Sequence, residues 1–92
     1  MYATVRRYKN AQALADAMAS KTDEVKKIIS GIPGFVSYYA TRDGDTVTSI
    51  SIYNDKAGCE ESTRRAGDWV RANVKAAPGA PEVSVGDVFI NF

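Results

Sequence analysis

Four side chains in the middle of the chain could share one patch of surface and do chemistry there: Tyr38, Ser49, Ser51 and Tyr53. Two phenols around two small hydroxyls supply aromatic walls, hydrogen-bonding groups and empty space in one place. Trp69 and Asn73 stand one helical turn apart further along the chain. If their helix packs over the patch, the serines are too small to fill the room beneath the indole, and a cavity remains. Aromatic faces with a few convergent polar groups are the usual make-up of a small-molecule site. In such a site Tyr53 and Asn73 would hydrogen-bond the oxygens of a flat aromatic ligand, and Arg7 would balance a phenolate. A plainer reading makes Trp69 and Tyr38 core aromatics and Asn73 a capped or solvated residue.

What the sequence lacks narrows the chemistry further. Histidine is absent. A Ser–His or Cys–His nucleophilic pair within the chain is therefore excluded, as is a histidine-held zinc, iron or haem. The lone Cys59 can build neither an internal disulfide nor a thiolate cluster; it reads as a small buried hydrophobe in a reducing cytoplasm. Gly31-Ile32-Pro33-Gly34 is neither a dinucleotide fingerprint nor a P-loop. No metal or cofactor site follows from these residues, so catalysis would fall to Tyr, Trp, Asn, Arg, Lys or carboxylates, or to the substrate and oxygen themselves.

The patch needs a hairpin to position it. Gly31 and Pro33 stop a helix, since proline lacks the amide proton and restricts its predecessor. Val36, Tyr38 and Tyr39, then Val47, Ile50, Ile52 and Tyr53, favour strands. Asp43-Gly44 between them reads as a two-residue type I′ turn. That turn sets Arg42 opposite Asp45, Ala40 opposite Val47, Tyr38 opposite Ser49 and Val36 opposite Ser51. On the other face Phe35 meets Ile52, Ser37 meets Ile50 and Tyr39 meets Thr48.

Residues 2–8 alternate as a first strand, with Tyr2, Thr4, Arg6 and Tyr8 on one face and Ala3, Val5 and Arg7 on the other. Asn10 reads as an N-cap. Apolar residues from Leu14 to Ile32 recur at helical spacing, as one helix or as two broken near Ser20-Lys21-Thr22, where Ser20 and Asp23 offer a capping pair. Asp23, Glu24, Lys26 and Lys27 read as a solvated face. A second helical region runs from Asn54 or Asp55 to about Ala77, with Glu60–Arg64 and Glu61–Arg65 as surface pairs; Gly58 and Gly67 lower its helix propensity, and a close approach to the sheet or a ligand is the alternative reading of Gly67. Pro78 to Pro81 break it. Glu82 to Phe92 reads as the last strand, bulged or bent at Gly86-Asp87.

The order β-α-β-β-α-β predicts one α+β domain over residues 1–92: a ferredoxin-like, four-stranded antiparallel sheet with helices on one face. At 92 residues, 45 % hydrophobic and 25 % charged, composition is ordinary for a globular chain. A net charge of +1 and the absence of a long apolar run argue against a nucleic-acid footprint and a membrane span. An RNA-binding module of this strand order needs exposed stacking aromatics on its central strands, and 46–52 supplies none. Both sheet faces are apolar, however. Phe35, Tyr39, Ile50 and Ile52 would leave a large patch in water, and the simplest cover is a second copy of the chain.

Residues 31–39, the run from Arg42 to Lys56, Trp69 and the closing Val85-Gly86-Asp87-Val88 together resemble the antibiotic biosynthesis monooxygenase family of the dimeric α/β-barrel superfamily. The resemblance spans residues 2–91. It implies a homodimer joined through the sheet faces, with a pocket between sheet and helices in each subunit. Some members oxidise aromatic, polyketide-like substrates with O2 and no metal or flavin; the deprotonated substrate passes an electron to oxygen while polar side chains hold its oxygens. On that reading Tyr53, Asn73 and Trp69 are the catalytic candidates, and Tyr38, Ser49, Ser51 and Arg7 bind substrate. Haem-degrading members use a histidine ligand that this chain lacks. A non-catalytic dimeric binding or accessory protein of the same fold is the alternative.

Overall fold

The computed structural model describes residues 1–76 and 78–92. Strand β1 (Tyr2–Tyr8) leads into Asn10, whose φ of 54° is a left-handed conformation that asparagine tolerates. Asn10 is therefore not the helix cap: Ala11 holds that position without a side-chain cap bond, and its N–H donates to the Asp45 carbonyl at 2.7 Å. Two helices follow, α1 (Gln12–Ser20) and α2 (Thr22–Ser30), separated by Lys21 at φ −123°, ψ 37°. Ser20 does not cap the second; its hydroxyl donates back to the Ala17 carbonyl.

The hairpin joins β2 (Phe35–Asp43) to β3 (Thr46–Tyr53). Asp43 pairs with Thr46, so the loop is Gly44-Asp45 rather than Asp43-Gly44. The reason lies in the backbone: Gly44 has φ 59° and no neighbouring non-glycine residue has positive φ. Glycine at the first loop position is the type II′ requirement, whereas type I′ needs positive φ at both. Moving the turn by one residue moves the pairing by two, so Tyr38 faces Ser51 and Ala40 faces Ser49. A slip of two leaves every side chain on its own face.

A bulge between Phe35 and Ser37 then changes the face of Phe35. It pairs with Tyr53, not Ile52, and the two rings meet edge-on at 5.8 Å on the helix side. Val36, the extra residue, is exposed.

Helix α3 (Lys56–Asn73) starts at Asp55, whose Oδ1 accepts from the Gly58 N–H at 2.9 Å. It ends at Asn73, short of the expected Ala77, which lies outside the described residues. Cys59, Ser62 and Trp69 are its buried stripe. The close approach falls at Gly58, not Gly67: a Cβ there would sit 2.8 Å from the Tyr53 ring, while Gly67 faces only the flexible end of Arg71. Strand β4 (Glu82–Asp87) stops well before Phe92; the Val88 N–H bonds the Met1 carbonyl, and Phe89, Ile90 and Phe92 are exposed.

The antiparallel sheet has the order β2-β3-β1-β4, the ferredoxin-like arrangement. The helices cover the face carrying Tyr2, Thr4, Arg6 and Tyr8 of β1 and Val47, Ser49, Ser51 and Tyr53 of β3, which stand opposite one another in register. On the bare face Tyr39, Ile50 and Val5 line up across three strands, since Tyr39 pairs with Ile50 and Ile50 with Val5. No helix among the described residues is long and apolar enough to cross a membrane.

Candidate functional site

The interior between sheet and helices is not one continuous hydrophobic core. Tyr8, Leu14, Val47, Trp69 and Val74 anchor one apolar cluster; Ile29, Ile32, Tyr53 and Cys59 form another. Buried polar side chains, Thr4, Arg6, Ser49, Ser51 and Ser62, lie on the sheet and on α3 in the same layer.

Arg6 dominates this belt. It is 1 % exposed. Its Nη1 donates to Ser62 Oγ at 3.1 Å and Thr63 Oγ1 at 3.2 Å, and its Nη2 donates to Ser51 Oγ at 3.0 Å. All three acceptors are neutral hydroxyls. Among the described residues no carboxylate pairs with it; the ion pairs are all made by Lys9, Arg42, Arg64, Arg65 and Arg71 at the surface. Guanidinium does not deprotonate in proteins, so the charge stays.

The neighbouring phenols do not neutralise it. Burial pushes the Tyr8 and Tyr38 hydroxyls above their ordinary range, and the opposing pull of Arg6 is the weaker effect. Burial likewise pushes Tyr53 up to about 12. The Cys59 thiol is raised by burial as well, and it donates to the Tyr2 carbonyl at 3.4 Å. All four groups remain neutral at ordinary pH. Two further buried hydroxyls, Ser49 Oγ and Thr4 Oγ1, have no hydrogen-bond partner.

Arg6, Tyr8, Tyr38, Ser49 and Trp69 share a half-open, mostly apolar cavity of about 30 Å³ with aliphatic side chains of all three helices. A water needs roughly 10–15 Å³, so the space holds a small group rather than a ring system. Two wider grooves lie outside it. One, of about 260 Å³, is lined by Ala15, Met18, Val25, Tyr38, Ala40 and Val47 among others; the second, of about 320 Å³, runs along α2 past Ile29, Phe35 and Tyr38. Val25 and Tyr38 wall all three spaces.

The residues singled out from sequence divide accordingly. Tyr38, Ser49 and Trp69 line the cavity, and Ser51 holds Arg6 at its edge. Tyr53 is fully buried, but its hydroxyl donates to the Ile29 carbonyl at 2.8 Å and it is not among the cavity-lining residues. Asn73 lies beyond the cavity; its amide donates to the Trp69 carbonyl and its Oδ1 accepts from Lys21 Nζ. The Trp69 indole N–H donates to Glu24 Oε1 at 2.8 Å, so Glu24 does more than solvate a helix face. Arg7 is exposed on the open side of the sheet, because alternation puts it opposite in sense to Arg6. Arg6 is the residue that sequence reasoning passed over. The signal is its strand parity with Tyr2, Thr4 and Tyr8, which places it on the covered face.

Fold and cavity together define a ferredoxin-like α+β protein with an aromatic-walled space between sheet and helices. No family model matches the sequence, and no curated protein sequence matches it. Solved structures do match. SnoaB, a cofactor-independent oxygenase from Streptomyces nogalater, is 16% identical with a TM-score of 0.67, covering 98% of this chain and 94% of its own. An antibiotic biosynthesis monooxygenase aligns at 14% identity and TM-score 0.66, over 98% of this chain and 100% of its own. A protein of unknown function from Nitrosomonas europaea gives 17% and 0.69, over 99% and 91%. The chain thus has the fold of the antibiotic biosynthesis monooxygenases, as its motifs suggested.

Proposed function

We propose that the chain is a homodimeric oxygenase, active in the cytoplasm without metal or flavin, on a small aromatic substrate of quinol or polyketide type. The observation that carries the reading is the cavity walled by Tyr8, Tyr38 and Trp69 together with the groove of about 260 Å³ that shares Tyr38 and Val25 with it and has room for a ring, in a fold shared with a cofactor-independent oxygenase. Dimerisation through the bare face, where Tyr39, Ile50 and Val5 stand in a row, would cover that apolar stripe. The deprotonated substrate would hand an electron to O2, and the protein would hold the substrate and exclude water.

A second reading, a dimeric binding protein without turnover, is favoured by one specific observation. The polar atoms of Tyr53, Asn73 and Trp69 are all engaged within the protein. Oxygen uptake with an anthrone- or quinol-like substrate decides between them. The oxygenase reading expects uptake that falls at least about tenfold in Trp69→Leu, the order of a lost positioning contact. Ligand-induced melting shifts without oxygen uptake would select the binding protein.

A further inference from the structure

We infer that the cavity at Arg6 receives the anionic oxygen of an otherwise apolar ligand, a carboxylate or an aryloxide, as the counter-ion that Arg6 lacks, with Ser49 as its second hydrogen-bond partner. The inference rests on reading this cavity as the ligand site, and it gives that site a charge.

A buried guanidinium that cannot lose its proton is strongly penalised unless an opposite charge answers it. The three hydroxyls around Arg6 accept hydrogen bonds but bring no charge. They occupy three of its five N–H donors; the other two have only the Tyr8 and Tyr38 hydroxyls nearby, again without charge. Ser49 is the independent sign. It is 3 % exposed, lines the cavity and has no partner for its hydroxyl. Arg6 and Ser49 stand directly opposite each other on β1 and β3, so their side chains rise together from the covered face. An oxygen set between them accepts from both. Apart from the Tyr8 and Tyr38 hydroxyls, which stand beside Arg6, the remaining wall is apolar: Leu14, Ile28, Val70 and Trp69.

Size separates the head from the body of the ligand. About 30 Å³ accommodates a carboxylate or a single oxygen and no more. The groove of about 260 Å³ shares Met18, Val25, Tyr38 and Val47 with the cavity and lies immediately outside it. The apolar body lies there, threaded past Tyr38 and Val25, with its oxyanion inward. Two sources of the charge, carboxylate and aryloxide, share this chemistry.

The test is calorimetric titration of the full chain with 2-naphthoate, its neutral isostere 2-naphthamide, and 4-nitrophenol, whose visible band reports ionisation. Expected is at least about tenfold tighter binding of naphthoate than of naphthamide, the scale of a charge-assisted hydrogen bond. Binding of 4-nitrophenol as its coloured anion assigns the aryloxide; naphthoate alone assigns the carboxylate; either supports the inference. Arg6→Met should erase the preference. Ser49→Ala should weaken naphthoate several-fold and leave the melting temperature of the unliganded chain unchanged; if Arg6→Met fails to fold, this variant and the naphthoate-to-naphthamide ratio decide. Equal binding of the two naphthyl probes, a preference that survives Arg6→Met, or chloride protecting as well as naphthoate would each overturn it. Charge preference without oxygen uptake would remove the oxygenase reading and leave the anion site; oxygen uptake with no charge preference would do the reverse.

Discussion

The two faces of the sheet are unsatisfied in opposite ways. The covered face buries a cation and two idle hydroxyls where oil is expected. The bare face sets Tyr39, 60 % exposed, beside Ile50 and Val5, where polar side chains are expected. Each defect has a physical cost: an ion without a counter-charge by desolvation, an apolar stripe by the surface it leaves in water. The contrast teaches that one sheet prepares two different meetings. On the proposals above, an anion would complete one side and a second copy the other.

The largest effect that could break this contrast is on the bare side. Ile50→Asp, at the centre of the stripe, should convert a dimer into a monomer at micromolar concentration, measured by sedimentation. A parent chain that sediments at its own mass of 10.0 kDa would remove the second half of the comparison. Next comes the covered side. Arg6→Met should leave the unliganded chain as stable as the parent or more stable by about 1–3 kcal/mol in urea titration, because a buried charge is exchanged for a flexible apolar side chain. A loss of about 3–5 kcal/mol would instead show that Arg6 is already answered inside the protein.

The smallest effect sharpens the picture around Tyr53. Its phenol ionises near 10.0 when unfolded and near about 12 when folded. Folding favours the neutral form, so this contribution is whole below pH 10 and is lost as pH climbs towards 12. It amounts to about 2 kcal/mol. Thermal melts against pH should fall through that window for the parent and fall less steeply for Tyr53→Phe, in which Tyr8, Tyr38 and Cys59 still titrate; that variant gives up about 1 kcal/mol at neutral pH with the bond to Ile29. A parent curve level to pH 12 would mean that the phenol is not held neutral.

Much of this was legible before any coordinates. Alternation placed Tyr38, Ser49, Ser51 and Tyr53 on one face, and that survived a wrong turn assignment because the resulting slip was two residues, not one. Phe35 was misplaced because a bulge leaves no mark in composition; nothing in Phe35-Val36-Ser37 announces an extra residue. Tyr53 was legible as to face and illegible as to partner, since which carbonyl its hydroxyl finds depends on how α2 docks; Asn73 was expected over the patch and lies beyond the cavity. Arg6 was hidden by habit of type. Strand parity put it among inward tyrosines, but arginine is so seldom buried that the parity was not followed.

The kink at Val36 has a further consequence. Strand β2 lies at the margin of the sheet, where free amides and carbonyls invite foreign strands to add on. An irregular, twisted border is a poor template for such growth. A chain with an apolar bare face is thereby guarded against fibrils along the border next to it, and straightening Phe35–Ser37 would trade a small packing defect for a sticky rim.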